Sequence, residues 1–334
     1  MKQFKVAILG ASGAVGREMI KVLQERNFPV SELRPLASAR SAGQKISFNG
    51  QEITIQEINE NSFEGIDIVL GASPNKVAKQ YKDAIVKSGA VFIDNSSAYR
   101  MDPNVPLVVP EINPEDAFKH QGVISNPNCS TIITLVAVNA INKLSPIQAM
   151  VASTYQATSG AGANGPIELA SQVKALEAGE PVEVKTFQYQ IAYNVIPQIG
   201  DFLETGFTTE EMKMQNEGRK IMHLPELKVN CTCVRVPVVR SHSISVTAVT
   251  KDHLDIETVK NAIANEKGCR LVDDPANRRY PMPLETSDQD IVFVGRIRQD
   301  IINENGITLW CCGDQVRKGA ATNAIQIAEL FIEE

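Results

Sequence analysis

The first third of the chain alternates short apolar runs with stretches of helical spacing, the pattern of a parallel sheet covered by helices on both faces. Lys5 to Leu9 reads as the first strand, and Ala14 to Gln24 as a helix with Val15, Met19, Val22 and Leu23 along one side. Asn27-Phe28-Pro29 stops that helix. Further strands are predicted at Glu32 to Ala37, Ile66 to Leu70, Ala90 to Ile93 and Gly122 to Ile124, with a helix from Asn75 to Lys87 between two of them. Beyond residue 127 the strands lengthen, as in Ile147 to Gln156 and Asn230 to Val239, and the spacers lengthen too, which suits a mixed sheet. The final segment, Gly319 to Ile332, is an amphipathic helix whose Ala321, Ile325, Ala328 and Ile332 suit packing back onto the first domain. The expected fold is α/β, with a Rossmann-like dinucleotide-binding domain over 1–127, completed by 313–334, and an α+β catalytic domain with a mixed sheet over 128–312.

Composition narrows the classes. With 334 residues, 43% hydrophobic and 22% charged, the chain suits two ordinary globular domains. A net charge of -6 argues against a nucleic-acid partner and for a small molecule. The stretch Val6 to Val15 is broken by glycines and followed by Arg17 and Glu18, so it reads as strand and loop, not leader; Ile132 to Ile141 is about half the length that spans a bilayer. The six cysteines, Cys129, Cys231, Cys233, Cys269, Cys311 and Cys312, fit neither zinc-ligand spacing nor a disulfide framework, so no metal and a reducing cytoplasm are expected.

Directly after the first strand comes Gly10-Ala11-Ser12-Gly13-Ala14-Val15-Gly16, leading into the first helix. Glycines let backbone approach a pyrophosphate, and the free N–H groups of a helix start stabilise its charge. Strand before and helix after make this a dinucleotide site, with Gly10, Ser12, Gly13, Ala14, Val15 and Gly16 its candidate residues. The second strand lacks the acidic residue that grips the ribose of NAD. Between Leu33 and Gln51 there is none, and Ser38, Arg40 and Ser41 offer hydroxyls and a guanidinium suited to a 2′-phosphate. NADP is the expected cofactor.

Ser125-Asn126-Pro127-Asn128-Cys129-Ser130-Thr131 precedes an apolar helical run, so Cys129 lies at a helix start. There a thiol pKa of about 8.5 falls to roughly 3.5–7.5, which makes the sulfur a nucleophile. The other five cysteines read as core thiols. A thiolate beside a nicotinamide suggests aldehyde oxidation: addition gives a thiohemiacetal, hydride loss leaves a thioester, and water or phosphate releases the acyl group. Of four histidines, His120, His223 and His253 read as solvated. His242, within Arg235-Val-Pro-Val-Val-Arg240-Ser-His242, is the candidate acid/base. Strict alternation would put Arg235 and His242 on opposite faces, so a shared site requires a bend, for which Pro237 supplies a reason.

The combination resembles the bacterial branch of the aspartate-semialdehyde dehydrogenase family, over nearly the whole chain. The resemblance is carried by Gly10 to Gly16, Ser38 to Gly43, Asp94-Asn95-Ser96-Ser97-Ala98-Tyr99-Arg100, Pro110-Glu111-Ile112-Asn113 and Asn126 to Thr131. It continues through Ser153-Thr154-Tyr155-Gln156, Ser159-Gly160-Ala161-Gly162, Glu210-Glu211-Met212-Lys213, Arg235 to His242 and Arg317-Lys318-Gly319-Ala320-Ala321. It implies NADP-dependent, reversible interconversion of L-4-aspartyl phosphate with L-aspartate 4-semialdehyde and phosphate, on the route to lysine or diaminopimelate, methionine and threonine. Cys129 would carry the acyl group, His242 would act as acid/base and Gln156 would orient the substrate. Arg235 would hold the carboxylate, Arg100 and Lys213 the phosphate, and Glu211 the ammonium, with Asn128 also in the substrate site. Ser159, Gly160 and Gln315 would join the cofactor site, although Asp314-Gln315-Val316 and Gly71-Ala72-Ser73-Pro74 depart from the family's usual forms. Glu211 and Lys213 pose a difficulty: on a regular helix residues two apart point about 200° apart, so either they lie at a frayed start or one assignment fails. The family's second domain implies a homodimer or a dimer of dimers.

Two other readings remain open at this stage. An N-acetyl-glutamyl-phosphate reductase shares the plan and the chemistry but has no ammonium to bind. A redox-sensing NADP-binding regulator would use Cys129 as a switch. A short-chain reductase or epimerase is excluded, because none of the six tyrosines has a lysine four residues on.

Overall fold

The computed structural model describes residues 2–332. It divides into two compact units: one ends at Asn128 and resumes at Ala320, and the other is Cys129–Gly319. The divisions lie one and seven residues beyond the boundaries expected from sequence at 127/128 and 312/313, and 333–334 lie outside the described residues. Among the described residues no helix is long and apolar enough to cross a membrane.

The first unit is built from β1 (Phe4–Leu9), α1 (Ala14–Glu25), β2 (Val30–Ala37), β3 (Lys45–Phe48), β4 (Gln51–Thr54), β5 (Gln56–Glu57), β6 (Ile68–Gly71), α2 (Asn75–Lys87), β7 (Val91–Asp94) and β8 (Val123–Ser125). Its main sheet has the order β5-β2-β1-β6-β7-β8, and every pairing is parallel. Successive strand residues feed opposite faces. Val6, Ile8, Leu70, Ile93 and Ile124 join one apolar cluster with α1, while Ala7, Leu9, Val69, Phe92 and Val123 join another with α2. Full burial of each of these Val, Leu, Ile and Phe side chains contributes roughly 1.5–3 kcal/mol. The β3–β4 hairpin was not foreseen; Asn49 and Gly50, both at positive φ, close it.

The second unit comprises α3 (Cys129–Leu144), β9 (Ile147–Gln156), α4 (Asn164–Ala178), α5 (Thr209–Ile221), β10 (Lys228–Arg235), β11 (His242–Thr250), α6 (Ile256–Asn265), β12 (Cys269–Leu271), α7 (Pro283–Thr286), β13 (Val292–Gln299) and β14 (Gly306–Gly313). Its sheet runs β10-β9-β11-β14-β13-β12. The β10–β9 and β12–β13 pairs are parallel and the rest antiparallel, a mixed sheet. Helix α3 is buried without a break from Ser130 to Ile141, which explains why its sequence is apolar all round. The other face of the sheet is open: Val151 is 55% exposed, and Tyr155 packs tilted against Trp310 with ring centroids 5.4 Å apart.

The strand expected over Asn230 to Val239 ends at Arg235, because the chain turns at Pro237 and re-enters the sheet as β11. The C-terminal segment belongs to the first unit as α8 (Thr322–Glu329), shorter than the run read from sequence because residues 317–321 form a π-turn. Ala321 just before it and its Ala324, Ile325, Ile327 and Ala328 join the β1–α1 cluster, and Glu329 pairs with Arg26, the residue that ends α1, through two bonds of 2.7 and 2.6 Å.

Candidate active site

In the first unit the loop after β1 is shaped for close approach. Gly10 has φ +93°, and a Cβ there would lie 2.6 Å from the Ala72 carbonyl oxygen. A Cβ on Gly16 would lie 2.3 Å from the Gly10 oxygen, so only glycine lets α1 start against the loop. Gly13 precedes α1 and no side chain caps the helix, which leaves the first-turn N–H groups of Ala14, Val15 and Gly16 without intrahelical acceptors. Gly10 and Ala11 donate to the Leu36 carbonyl at 2.9 and 3.0 Å, tying the loop to the end of β2. There Ser38 and Ser41 close a turn, Ser41 N to Ser38 O 2.9 Å, with Arg40 exposed on it. This donor-lined cradle fits a pyrophosphate, and the turn fits a further phosphate. Arg100 is buried, and its guanidinium donates to the carbonyls of Asn126 (3.0 Å) and Asn95 (2.7 Å). Asn128 is likewise buried.

In the second unit the nucleophile begins α3. Among the described residues Cys129 is the one cysteine that is not buried; burial pushes the thiols of Cys311 and Cys312 up, that of Cys312 to about 11, so both stay protonated. The neighbours of Cys129 come from the ends of three strands. Arg235 of β10 is in register with Gln156 of β9. Ser243 of β11 is opposite Tyr155, which puts His242 beside Gln156 on the other side. Arg235 and His242 thus flank one residue from different strands, so the alternation of a single strand never applies to them. His242 Nε2 lies 3.5 Å from Cys129 Sγ, and its Nδ1 accepts from Ala157 N at 3.0 Å. The ring is fully buried. Burial first, and the Arg235 guanidinium second, push its pKa down to about 3 against a partial opposing pull from Glu210.

Arg235 donates to the Ala157 carbonyl at 2.7 Å and has its guanidinium 5.9 Å from the Phe187 ring centroid. Gln156 Nε2 donates to Thr154 Oγ1 (3.2 Å) and to Glu210 Oε1 (3.3 Å). The other oxygen of Glu210 takes Lys213 Nζ at 2.8 Å. Glu211 stands elsewhere. Its carboxylate closes a capping box with Thr208 and accepts the N–H of Cys233 at 3.0 Å. It therefore satisfies the edge strand β10, and the assignment of Glu211 to the substrate ammonium is corrected. Glu210, not singled out from the sequence, is the carboxylate that meets Gln156 and Lys213; the signal for that pairing is the three-residue spacing to Lys213, which puts both on one helix face.

Ser159, Gly160 and Gln315 also gather here. Gln315 Oε1 accepts Ser241 N at 2.9 Å, its amide donates to the Ser159 hydroxyl, and Ser159 donates to the Val239 carbonyl at 2.6 Å. A Cβ on Gly160 would lie 2.8 Å from Arg235 Nη1 and 3.2 Å from His242 Nε2. A Cβ on Gly319 would lie 2.8 Å from Cys129 Cβ. The nucleophile, the imidazole and the guanidinium are thus closed in by positions that admit no side chain.

Residues 5–120 match the family model "Semialdehyde dehydrogenase, NAD binding domain", and 138–318 match "Semialdehyde dehydrogenase, dimerisation domain". The chain is 50% identical to an aspartate-semialdehyde dehydrogenase of Aquifex aeolicus, over 99% of this chain and 98% of that one. It is 47% identical to the enzyme of that name from Bacillus subtilis, covering 97% and 96%. A crystal structure of aspartate semialdehyde dehydrogenase II from Vibrio cholerae superposes with a TM-score of 0.96 at 43% identity, covering 100% of this chain and 99% of that one; a second structure of that protein is complexed with ASA. With two family models and full-length relatives in agreement, the chain belongs to the aspartate-semialdehyde dehydrogenase family.

Proposed function

We propose that the protein catalyses the reversible, NADP-dependent interconversion of L-4-aspartyl phosphate with L-aspartate 4-semialdehyde and phosphate. The reductive direction supplies lysine, diaminopimelate, methionine and threonine synthesis. The observation that carries this reading is the partly exposed Cys129 thiol 3.5 Å from a buried imidazole, with a guanidinium and a carboxylate, Arg235 and Glu210, acting on that imidazole. A nucleophile, a cation for an α-carboxylate and an anion for an α-ammonium are what an amino-acid aldehyde requires. An N-acetylated substrate would leave Glu210 without a cationic partner on the substrate, which favours the free amino acid over the N-acetyl-glutamyl analogue.

In this reading Cys129 attacks the aldehyde carbon and later carries the acyl thioester, with His242 as the acid/base. Gln156, fixed by Thr154 and Glu210, orients the bound substrate. Arg235 holds its carboxylate and Glu210 its ammonium. Lys213 and Arg100 are assigned to the phosphate, and Asn128 to the substrate. The cofactor would be held by backbone from Gly10 to Gly16, by Ser38, Arg40 and Ser41 at the 2′-phosphate, and by Ser159, Gly160 and Gln315. When bound, NADP supplies a nicotinamide ring that takes or returns the hydride.

The dimerisation-domain match supports a dimer. We infer that the open face bearing Val151, Tyr155 and Trp310 is covered by a second copy, as a homodimer or within a dimer of dimers, and that the free thiols work in the cytoplasm.

The test follows NADPH formation from L-aspartate 4-semialdehyde and NADP, with and without inorganic phosphate, in wild type and Cys129→Ala. Phosphate-dependent turnover in the wild type, abolished in the variant, is expected. Folded wild-type protein that ignores the semialdehyde and turns over the N-acetylglutamate analogue overturns the substrate.

A further inference from the structure

The carboxylate of Asp314 is wholly buried and takes four donors, two on each oxygen. Oδ2 accepts Arg240 Nε at 2.5 Å and Asp288 N at 2.6 Å; Oδ1 accepts Val316 N at 2.9 Å and Arg317 N at 3.1 Å. Through Arg240 it grips the strap 239–241 that leads into His242. Through Val316 and Arg317 it shapes the turn 314–319, and its own carbonyl takes Gly319 N at 2.9 Å. Gly319 is the position that leaves room for Cys129, since a Cβ there would lie 2.8 Å from Cys129 Cβ. One buried carboxylate therefore joins the two stretches of backbone that set the 3.5 Å between Cys129 Sγ and His242 Nε2.

The strap needs holding. Ser241 has φ +74°, a left-handed conformation in which Cβ crowds the following carbonyl oxygen. A residue other than glycine keeps it only where the surroundings over-determine it. Here Ser241 N donates to Gln315 Oε1 at 2.9 Å, and the Ser241 hydroxyl meets Thr286 Oγ1 at 2.6 Å. Arg240 O accepts Ser287 Oγ at 3.2 Å. The remaining tie is the Arg240–Asp314 pair, the charged one, and charge-assisted bonds are the strong ones. A return of Ser241 to negative φ would re-aim the residue that follows it, which is His242.

Resting on the reading above, in which His242 is the acid/base, we propose that Asp314 is a positioning residue of the reaction. Its carboxylate, through Arg240, holds Ser241 in the left-handed conformation that aims His242 at Cys129, and through the 314–319 turn it fixes the backbone against which Cys129 rests. Asp314 acts by way of these two segments, not on the reacting atoms.

Two variants test it. Arg240→Met cuts the strap from Asp314 and leaves the carboxylate its three backbone donors; Asp314→Asn turns an amide N–H toward groups that only donate. A shift approaching 1 Å in a reacting group costs up to about 10²-fold in rate, so kcat should fall about ten- to a hundredfold in each. KM for the semialdehyde should stay within about threefold, because Arg235 and Glu210 are held elsewhere, by Ala157 O and Lys213. Adding Ser241→Gly gives the readout that a merely structural role would not move. Glycine adopts positive φ without steric cost, so this change should alter wild-type kcat less than about threefold and raise that of Arg240→Met at least about fivefold, a non-additive cycle. Wild-type kcat in both folded variants, or losses at 240 and 241 that simply add, overturns the proposal; where one variant fails to fold, the other decides. A crystal structure of Arg240→Met needs no substrate. It should show Ser241 outside the left-handed region and Cys129 Sγ farther than 3.5 Å from His242 Nε2, and an unchanged strap overturns the proposal. Wild-type enzyme inert toward the semialdehyde would instead sink the substrate reading and leave that comparison standing.

Discussion

Gly319→Ala puts the packing around the nucleophile to a quantitative test. The added carbon would lie 2.8 Å from Cys129 Cβ and 3.2 Å from its Cα, whereas ordinary contact begins at 3.4 Å. Both atoms sit on or next to backbone, so Cys129 and the turn bearing Gly319 must separate by at least about 0.6 Å. That turn is held by Gly319 N to Asp314 O at 2.9 Å, and Asp314 is itself anchored by Val316 N and Arg317 N at 2.9 and 3.1 Å. Overpacking of this kind costs about 1–3 kcal/mol of stability. A shift approaching 1 Å in a reacting group costs up to about 10²-fold in rate, so kcat should fall roughly ten- to a hundredfold. Steady-state NADPH formation gives kcat, iodoacetamide alkylation of Cys129 reports the nucleophile alone, and thermal denaturation gives the stability. Gly218→Ala, where the added carbon meets its nearest neighbour at an ordinary 3.4 Å within α5, is the control, expected to be neutral or stabilising by up to about 1 kcal/mol. Gly319→Ala with wild-type kcat and alkylation rate would refute the reasoning.

Gly160→Ala should force Arg235 Nη1 off the Ala157 carbonyl and crowd the imidazole, raising KM for the semialdehyde and lowering kcat together in steady-state assays. Glu210→Gln should raise KM for the semialdehyde about tenfold or more while Tm hardly moves; Glu211→Gln should do the reverse, removing about 0.5–2 kcal/mol through the lost cap and edge partner with KM retained. Chemical denaturation across pH checks the buried imidazole. Its folded pKa is depressed from 6.5 to about 3, so the unfolded chain binds a proton that the folded one refuses, and stability is lost as the pH falls below 6.5. The expected slope is up to about 1.4 kcal/mol per pH unit, present in the wild type and missing from the same curve for His242→Gln; parallel curves for the two proteins would contradict it.

What could be read without the structure divides along the range of the interactions. The loop from Gly10 to Gly16 was legible because a strand, a tight turn and a helix start are local features, and the same holds for Cys129 at the head of α3. Arg235 and His242 posed a conflict because their relation was sought within one strand. The conflict dissolves once each is paired across β9 to Gln156, a register set by sheet pairing that no local pattern reports. Glu210 and Glu211 show the limit most sharply. Adjacent carboxylates of equal propensity differ only by about 100° around the helix axis, and one residue's rotation decides whether the group caps a helix and seals a sheet edge or reaches Gln156 and Lys213. The three-residue spacing to Lys213 was in the sequence throughout. What gave it meaning was which flank of α5 lies against β10, and that is settled by the N–H of Cys233 on the sheet edge, a backbone group whose partner, Glu211, comes from outside its own sheet.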